Sequence, residues 1–173
     1  MSCDFCDTRH QEGRWMNDDE IIAAIKREPT AQIILTGGEP SLFIDSQFII
    51  KLKQETGLSV AIETNGTNIL PEEIDWVTVS PKDCDGAGRP RKDLKELIKT
   101  KRANELKVVE VGQDLSPYFQ LECVAPETVM MLQPCYVDDP VEREKNTRRT
   151  IGRVLEDPRW RLSLQTHRLI NIK

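Results

Sequence analysis

Apolar and polar positions follow two rhythms in this chain, and the rhythms take turns. Asn17-Asp18-Asp19-Glu20 reads as a capped helix start, with Ile21, Ile22 and Ile25 following at helical spacing. "AQIILTGG" (31–38) is a short apolar run closed by two glycines, which predicts a buried strand. Phe48, Ile49 and Leu52 mark a second helix closing near Gly57. "LSVAIETNG" (58–66) and "WVTVSPK" (76–82) read as strands, the first ending in the Asn65-Gly66 turn and the second stopped by Pro81. Leu94, Leu97 and Ile98 give another helical face, and "ELKVVEV" (105–111) and "TVMMLQP" (128–134) two more strands. Residues 139–156 predict a charged helix with Ile151, Val154 and Leu155 inward, and "RWRLSLQTHRL" (159–169) a closing strand.

Strands and helices alternating over such short connections imply parallel strands joined by crossover helices. The expected fold is α/β, an incomplete (β/α) barrel or open parallel sheet. One crossover lacks a helix, because only the "LPEEID" turn fits between "IETNG" and "WVTVS". In such folds the working residues collect at the C-terminal ends of the strands. Five ends here are polar or glycine-rich: Gly37-Gly38-Glu39-Pro40, Glu63-Thr64-Asn65-Gly66, Ser80-Pro81-Lys82, Gln133-Pro134 and Gln165-Thr166-His167. Together on one sheet edge they predict a site.

Composition narrows the classes of function. With 38% hydrophobic residues the chain can build a core, and its formal charge of −5 argues against a surface held to nucleic acid by phosphate contacts. No apolar run approaches the roughly 20 residues that span a bilayer. Five cysteines, two of them close together and Cys84, Cys123 and Cys135 scattered, fit a reducing, cytoplasmic setting better than a disulfide framework. The three scattered cysteines are expected to be small buried apolar residues.

Cys3-x-x-Cys6 suits zinc, an iron–sulfur cluster or a redox pair, and its spacing alone does not choose. Zinc is disfavoured by the want of a second pair, and a thioredoxin-like pair by the want of a preceding strand. Gly37-Gly38 exposes bare backbone after a strand and Glu39 can accept from an ammonium group, although an ordinary turn would use the same glycines. Thr8 reads equally as a turn residue or as a hydroxyl ligand for a hard cation. A lone histidine such as His167 is more often a satisfied strand residue than a ligand. His10 and Trp15 read as loop-packing residues.

The cysteine motif followed by "GGEP" after the next strand resembles the radical S-adenosylmethionine enzymes. "CDFCDT", "LTGGEPSL", "IETNGT", "VSPK", "LKVV", "LQP" and "WRLSLQTHRLINI" resemble the 7-carboxy-7-deazaguanine synthases within them. The resemblance implies a single radical-SAM core domain over residues 1–173, with Cys3 and Cys6 holding a [4Fe–4S] cluster and Thr8 a Mg²⁺ ion. Gly37, Gly38, Glu39, Glu63, Asn65, Ser80, Lys82 and Gln133 would bind S-adenosyl-L-methionine, with Lys107 less securely placed. Thr64, Gln165 and His167 would bind the substrate, 6-carboxy-5,6,7,8-tetrahydropterin. The implied reaction is a radical ring contraction that loses ammonia, on the route to queuosine. An electron donor such as flavodoxin and a homodimer are implied as partners, with no nucleic acid or membrane.

The family pattern has three cysteines, and the first would stand four residues before Cys3, upstream of Met1. The family's first strand, with its Q-G-E-G stretch and a substrate-handling arginine, is likewise missing from these 173 residues. The expectation is therefore that Met1 is not the natural start, and that the chain as written does not hold a stable cluster. Two rival readings stand at this point. Another radical S-adenosylmethionine enzyme, such as a glycyl-radical activase, would share "GGEP"; a metal-binding remnant would bind zinc at Cys3 and Cys6 and ignore S-adenosylmethionine.

Overall fold

A computed structural model describes residues 13–170. Its frame is a six-stranded, all-parallel sheet with strands in chain order: β1 (Gln32–Leu35), β2 (Ser59–Thr64), β3 (Trp76–Val79), β4 (Glu105–Glu110), β5 (Val129–Pro134) and β6 (Trp160–Leu162). Sequential order with parallel pairing puts every strand's C-terminal end on one edge. The sheet is open, with β1 and β6 at its two sides.

α1 (Asp18–Ile25) precedes β1, α2 (Ser46–Thr56), α3 (Leu94–Leu97) and α4 (Pro140–Glu156) lie between strands, and α5 (Thr166–Leu169) follows β6. Local chemistry sets the helix ends. Asn17 and Glu20 form a reciprocal capping box, each side chain accepting from the other's backbone N–H. Gly57 closes α2 with a left-handed φ of +70°, a conformation that costs glycine little. The β2–β3 connection carries no helix, as "LPEEID" predicts.

The two faces of the sheet differ in kind. Strand alternation puts Ile33, Val60, Ile62, Val77, Val79, Leu106, Val108, Met130, Leu132 and Trp160 on one face, all buried beneath the helices. The opposite face carries Ile34, Glu63, Thr78, Glu105, Lys107, Met131, Gln133 and Arg161, most of them partly open to solvent. A sheet buried on both faces would read as continuous apolar runs. The alternation in Glu105–Glu110 instead marks one dry face and one that can line a cavity.

Three sequence expectations are corrected. α4 faces the sheet with Asn146, Thr150 and half-buried Val154, four residues apart, so Ile151 and Leu155, each one step further round the helix, point outward; Leu155 is 80% exposed. Polar groups line the inward stripe because each finds a partner: Asn146 Nδ2 donates to the Cys135 carbonyl at 3.0 Å, and Thr150 Oγ1 to the Asn146 carbonyl at 2.9 Å. The face around Leu94, Leu97 and Ile98 is a single turn, and Ile98 is already extended. The closing strand stops at Leu162, where its pairing with Leu132 of β5 ends, and Thr166–Leu169 turns into α5.

Asp75 ties β3 to its neighbours. Its Oδ2 accepts from Val60 N at 2.8 Å and its Oδ1 from Lys53 Nζ at 2.6 Å. The Lys53 contact and then the Val60 hydrogen bond hold its carboxyl below the ordinary range. A group with a lowered folded-state pKa stabilises the fold above the unfolded pKa, about 3.9 for aspartate, and loses that effect as pH falls through the folded value. The Asp75→Asn variant should therefore melt earlier at neutral pH, and the gap to the parent should close as a pH series of thermal melts descends below about pH 4.

Candidate active site

The first strand end builds the centre of the site. After β1 the chain passes Gly37, with a φ of +124°, and Gly38, and Glu39 then caps a short 3₁₀ turn over Pro40–Leu42. Both glycines are exposed, and nothing lies within 4 Å of where a Cβ on Gly37 would sit. Backbone is thus open to a ligand at the edge where the strands end.

The Glu39 carboxylate turns across to β2. Its Oε1 accepts from Ser41 N at 3.1 Å, Ser41 Oγ at 2.6 Å and Thr64 Oγ1 at 2.6 Å, and its Oε2 from Asn65 N at 2.8 Å. Thr64 Oγ1 in turn accepts from Gly66 N, and Asn68 Nδ2 donates to Ser41 Oγ. The carboxylate therefore holds two loops in one arrangement. Ser41 and Asn68 were not singled out in the sequence. Ser41 carried a usable signal, two residues after the capping glutamate, whereas Asn68 carried none.

The β3 end joins the same edge. Ser80 N donates to the Thr64 carbonyl at 2.7 Å, and Lys82 Nζ to Ser80 Oγ at 2.7 Å. On the open sheet face Lys107 Nζ donates to Glu63 Oε1 at 3.0 Å. Gly37, Gly38, Glu39, Glu63, Thr64, Asn65, Ser80 and Lys82 thus gather around three neighbouring strand ends. Gln133 lies on the open face of β5, further along the sheet.

The last segment goes elsewhere. Gln165 lines a cavity of about 330 Å³ together with Pro134, Cys135, Tyr136, Arg143 and Arg168. Arg168 stacks on the Tyr136 ring at 3.7 Å, and Arg143 Nη1 donates to its hydroxyl at 3.1 Å. His167 is exposed on α5 and is not among the residues lining that cavity. Trp15 stands 87% exposed, edge-on to Phe43 at 5.7 Å.

Cys3, Cys6, Thr8 and His10 lie outside the described residues. Among the described residues no cluster of His, Cys, Asp or Glu could hold a metal ion. The scattered cysteines are not built for ligation either. Cys123 and Cys135 are buried, and burial raises both thiols; burial and then Asp83 push the Cys84 thiol up to about 12. No helix among the described residues is long and apolar enough to cross a membrane.

Known proteins give this geometry a relation. Residues 1–77 match the family model of the Radical SAM superfamily. The 7-carboxy-7-deazaguanine synthase of Bacteroides thetaiotaomicron is 47% identical over 173 residues, covering 100% of this chain and 82% of that protein. The enzyme of the same name from Burkholderia multivorans is 36% identical over 183 aligned positions, covering 98% of this chain and 78% of that protein. Among solved structures, QueE from Escherichia coli superimposes with a TM-score of 0.68 at 26% identity, over 94% of this chain and 79% of that one. With the GGEP loop, the Glu39 bridge and the parallel sheet in place, the chain belongs to the 7-carboxy-7-deazaguanine synthase family of radical S-adenosylmethionine proteins.

Proposed function

We propose that this chain converts 6-carboxy-5,6,7,8-tetrahydropterin to 7-carboxy-7-deazaguanine with loss of ammonia. The observation that carries the reading is the 47% identity to a 7-carboxy-7-deazaguanine synthase along the whole chain. The site geometry agrees with it, since a small-molecule cofactor needs exposed backbone and fixed polar groups, and the β1–β3 ends offer both. When bound, the [4Fe–4S] cluster and S-adenosylmethionine supply the one-electron chemistry, and the protein supplies position.

Each group's own bonding decides its task. Glu39 spends its carboxylate on Ser41, Thr64 and Asn65, so it shapes the Gly37–Glu39 backbone that receives the methionine amino group. Thr64 is buried with its hydroxyl already engaged, so it serves the substrate by holding that loop. Asn65, Ser80 and Lys82 offer amide, hydroxyl and ammonium groups to the ribose and carboxylate, and Glu63 accepts from hydroxyls on the open face. Gln133 faces the same open side, while Gln165, in the cavity beside Tyr136, and the exposed His167 are assigned to the pterin on their motif alone. Cys3 and Cys6 are assigned to the cluster and Thr8 to Mg²⁺ on their motif alone. A flavodoxin-type donor, a homodimer and a cytoplasmic setting complete the proposal.

The test is anaerobic reconstitution of the full-length protein, reduction, and addition of 6-carboxytetrahydropterin. Formation of 7-carboxy-7-deazaguanine with one ammonia per product supports the reading. Cluster loading with intact substrate and no product would overturn it.

A further inference from the structure

Lys107 and Glu63 stand 44 residues apart in sequence and two strands apart in the sheet, yet meet at 3.0 Å. The register explains how. Glu63 of β2 is level with Thr78 of β3, and Thr78 with Glu105 of β4; Lys107 stands two residues beyond Glu105 on the same face. The pair therefore reaches over β3, and Thr78 between them is only 5% exposed. The Lys107 side chain is 19% exposed while that of Glu63 is 47% exposed, so the lysine is the fixed member and the carboxylate the one presented to the open face. Glu105 is the second carboxylate of the group. Burial raises its carboxyl, Lys107 opposes the rise and Glu63 reinforces it, which places all three charges within one another's field.

We propose that Lys107 is a positioning residue: it holds the Glu63 carboxylate extended along the open sheet face, at the strand end where the ribose hydroxyls of S-adenosylmethionine are to be received. The assignment rests on the reading that S-adenosylmethionine occupies this edge. Ammonium hydrogen bonding fixes a carboxylate's direction and leaves its second oxygen free to accept. Without Lys107, Glu63 and Glu105 are two like charges in the same row of the open face, on either side of β3, and Glu63 moves away from its neighbour and from the ligand.

The experiment is a double-mutant cycle in the full-length protein, read by titration with S-adenosylmethionine in the absence of reductant, with a thermal melt of each variant. Lys107→Met should weaken binding about tenfold and Lys107→Arg no more than about threefold, because a guanidinium can still reach the carboxylate. Glu63→Gln should weaken binding to a similar degree, and adding Lys107→Met to it should cost less than about twofold more. In turnover, Lys107→Met should raise the KM for S-adenosylmethionine more than it lowers kcat. Lys107→Met binding like the parent, or the two losses multiplying in the double variant, would overturn the assignment. A lowered melting temperature with unchanged binding would also overturn it, because Lys107 would then be only a strut. A parent protein that binds S-adenosylmethionine but leaves the pterin untouched would instead refute the proposed reaction and leave this cycle readable.

Discussion

Replacing Glu39 with alanine should weaken S-adenosylmethionine binding by roughly a hundredfold and reduce turnover at least as much. The carboxylate accepts four hydrogen bonds, and its removal leaves the Thr64 hydroxyl and the Asn65 N–H without their acceptor in a partly buried place. Two such orphaned donors cost about 1–3 kcal/mol each, and a total near 3 kcal/mol is about two factors of ten in the population of the ordered loop. Apparent affinity falls by the same fraction when only the ordered loop can bind. Glu39→Gln should sit between parent and alanine: it keeps one acceptor oxygen but turns an N–H₂ towards donors that are already committed. Calorimetric titration of the two variants beside the parent measures the order. Near-parental affinity in Glu39→Ala would show that the loops hold their shape without the bridge.

Gly66→Ala should destabilise the fold by about 2–5 kcal/mol, enough to threaten folding outright in a domain of ordinary stability. Gly66 has a φ of +80°, and a Cβ there would come within 2.8 Å of Val79 Cγ1 and 3.0 Å of Ile98 Cδ1. Left-handed backbone costs a residue with a Cβ about 1–2 kcal/mol, and overpacking adds about 1–3 kcal/mol. Val79 cannot yield easily, since it is fully buried at the end of β3. The Gly66 carbonyl also accepts from Lys99 N at 2.8 Å and Thr100 N at 3.1 Å, so any shift of the turn pulls on the chain entering β4. Urea titration should give a lower midpoint with the same slope. A loss below about 1 kcal/mol would mean that the turn relaxes freely.

Both predictions concern residues whose kind was legible in the sequence and whose task was not. "GGEP" and "ETNG" stood out as strand-ending turns with exposed backbone. The element order was legible too, because each strand and helix writes its period into adjacent residues, and the helix-less β2–β3 link betrayed itself by having no period. The misreadings share one cause. Ile151, Val154 and Leu155 look like an apolar face, but only Val154 turns inward, in line with the polar Asn146 and Thr150, which are satisfied there. "RWRLSLQTHRL" alternates well enough for a strand, but its pairing with β5 ends at Leu162 opposite Leu132, two residues before β5 itself ends at Pro134, and the chain then turns into α5.

The sequence by itself determined the alternation of strand and helix, the parallel sheet that follows from it, the edge on which the polar strand ends gather, and the family. These are properties of spacing along the chain and of motifs a few residues long. Only the tertiary structure decided what each side chain is committed to. It committed the Glu39 carboxylate to a bridge between two loops, paired Lys107 with Glu63 across β3, and set Gln165 in a separate cavity beside Tyr136. The reason is that a hydrogen bond or ion pair needs its partner within about 3 Å, and which residues meet at that range depends on strand register and loop path, which no local pattern encodes.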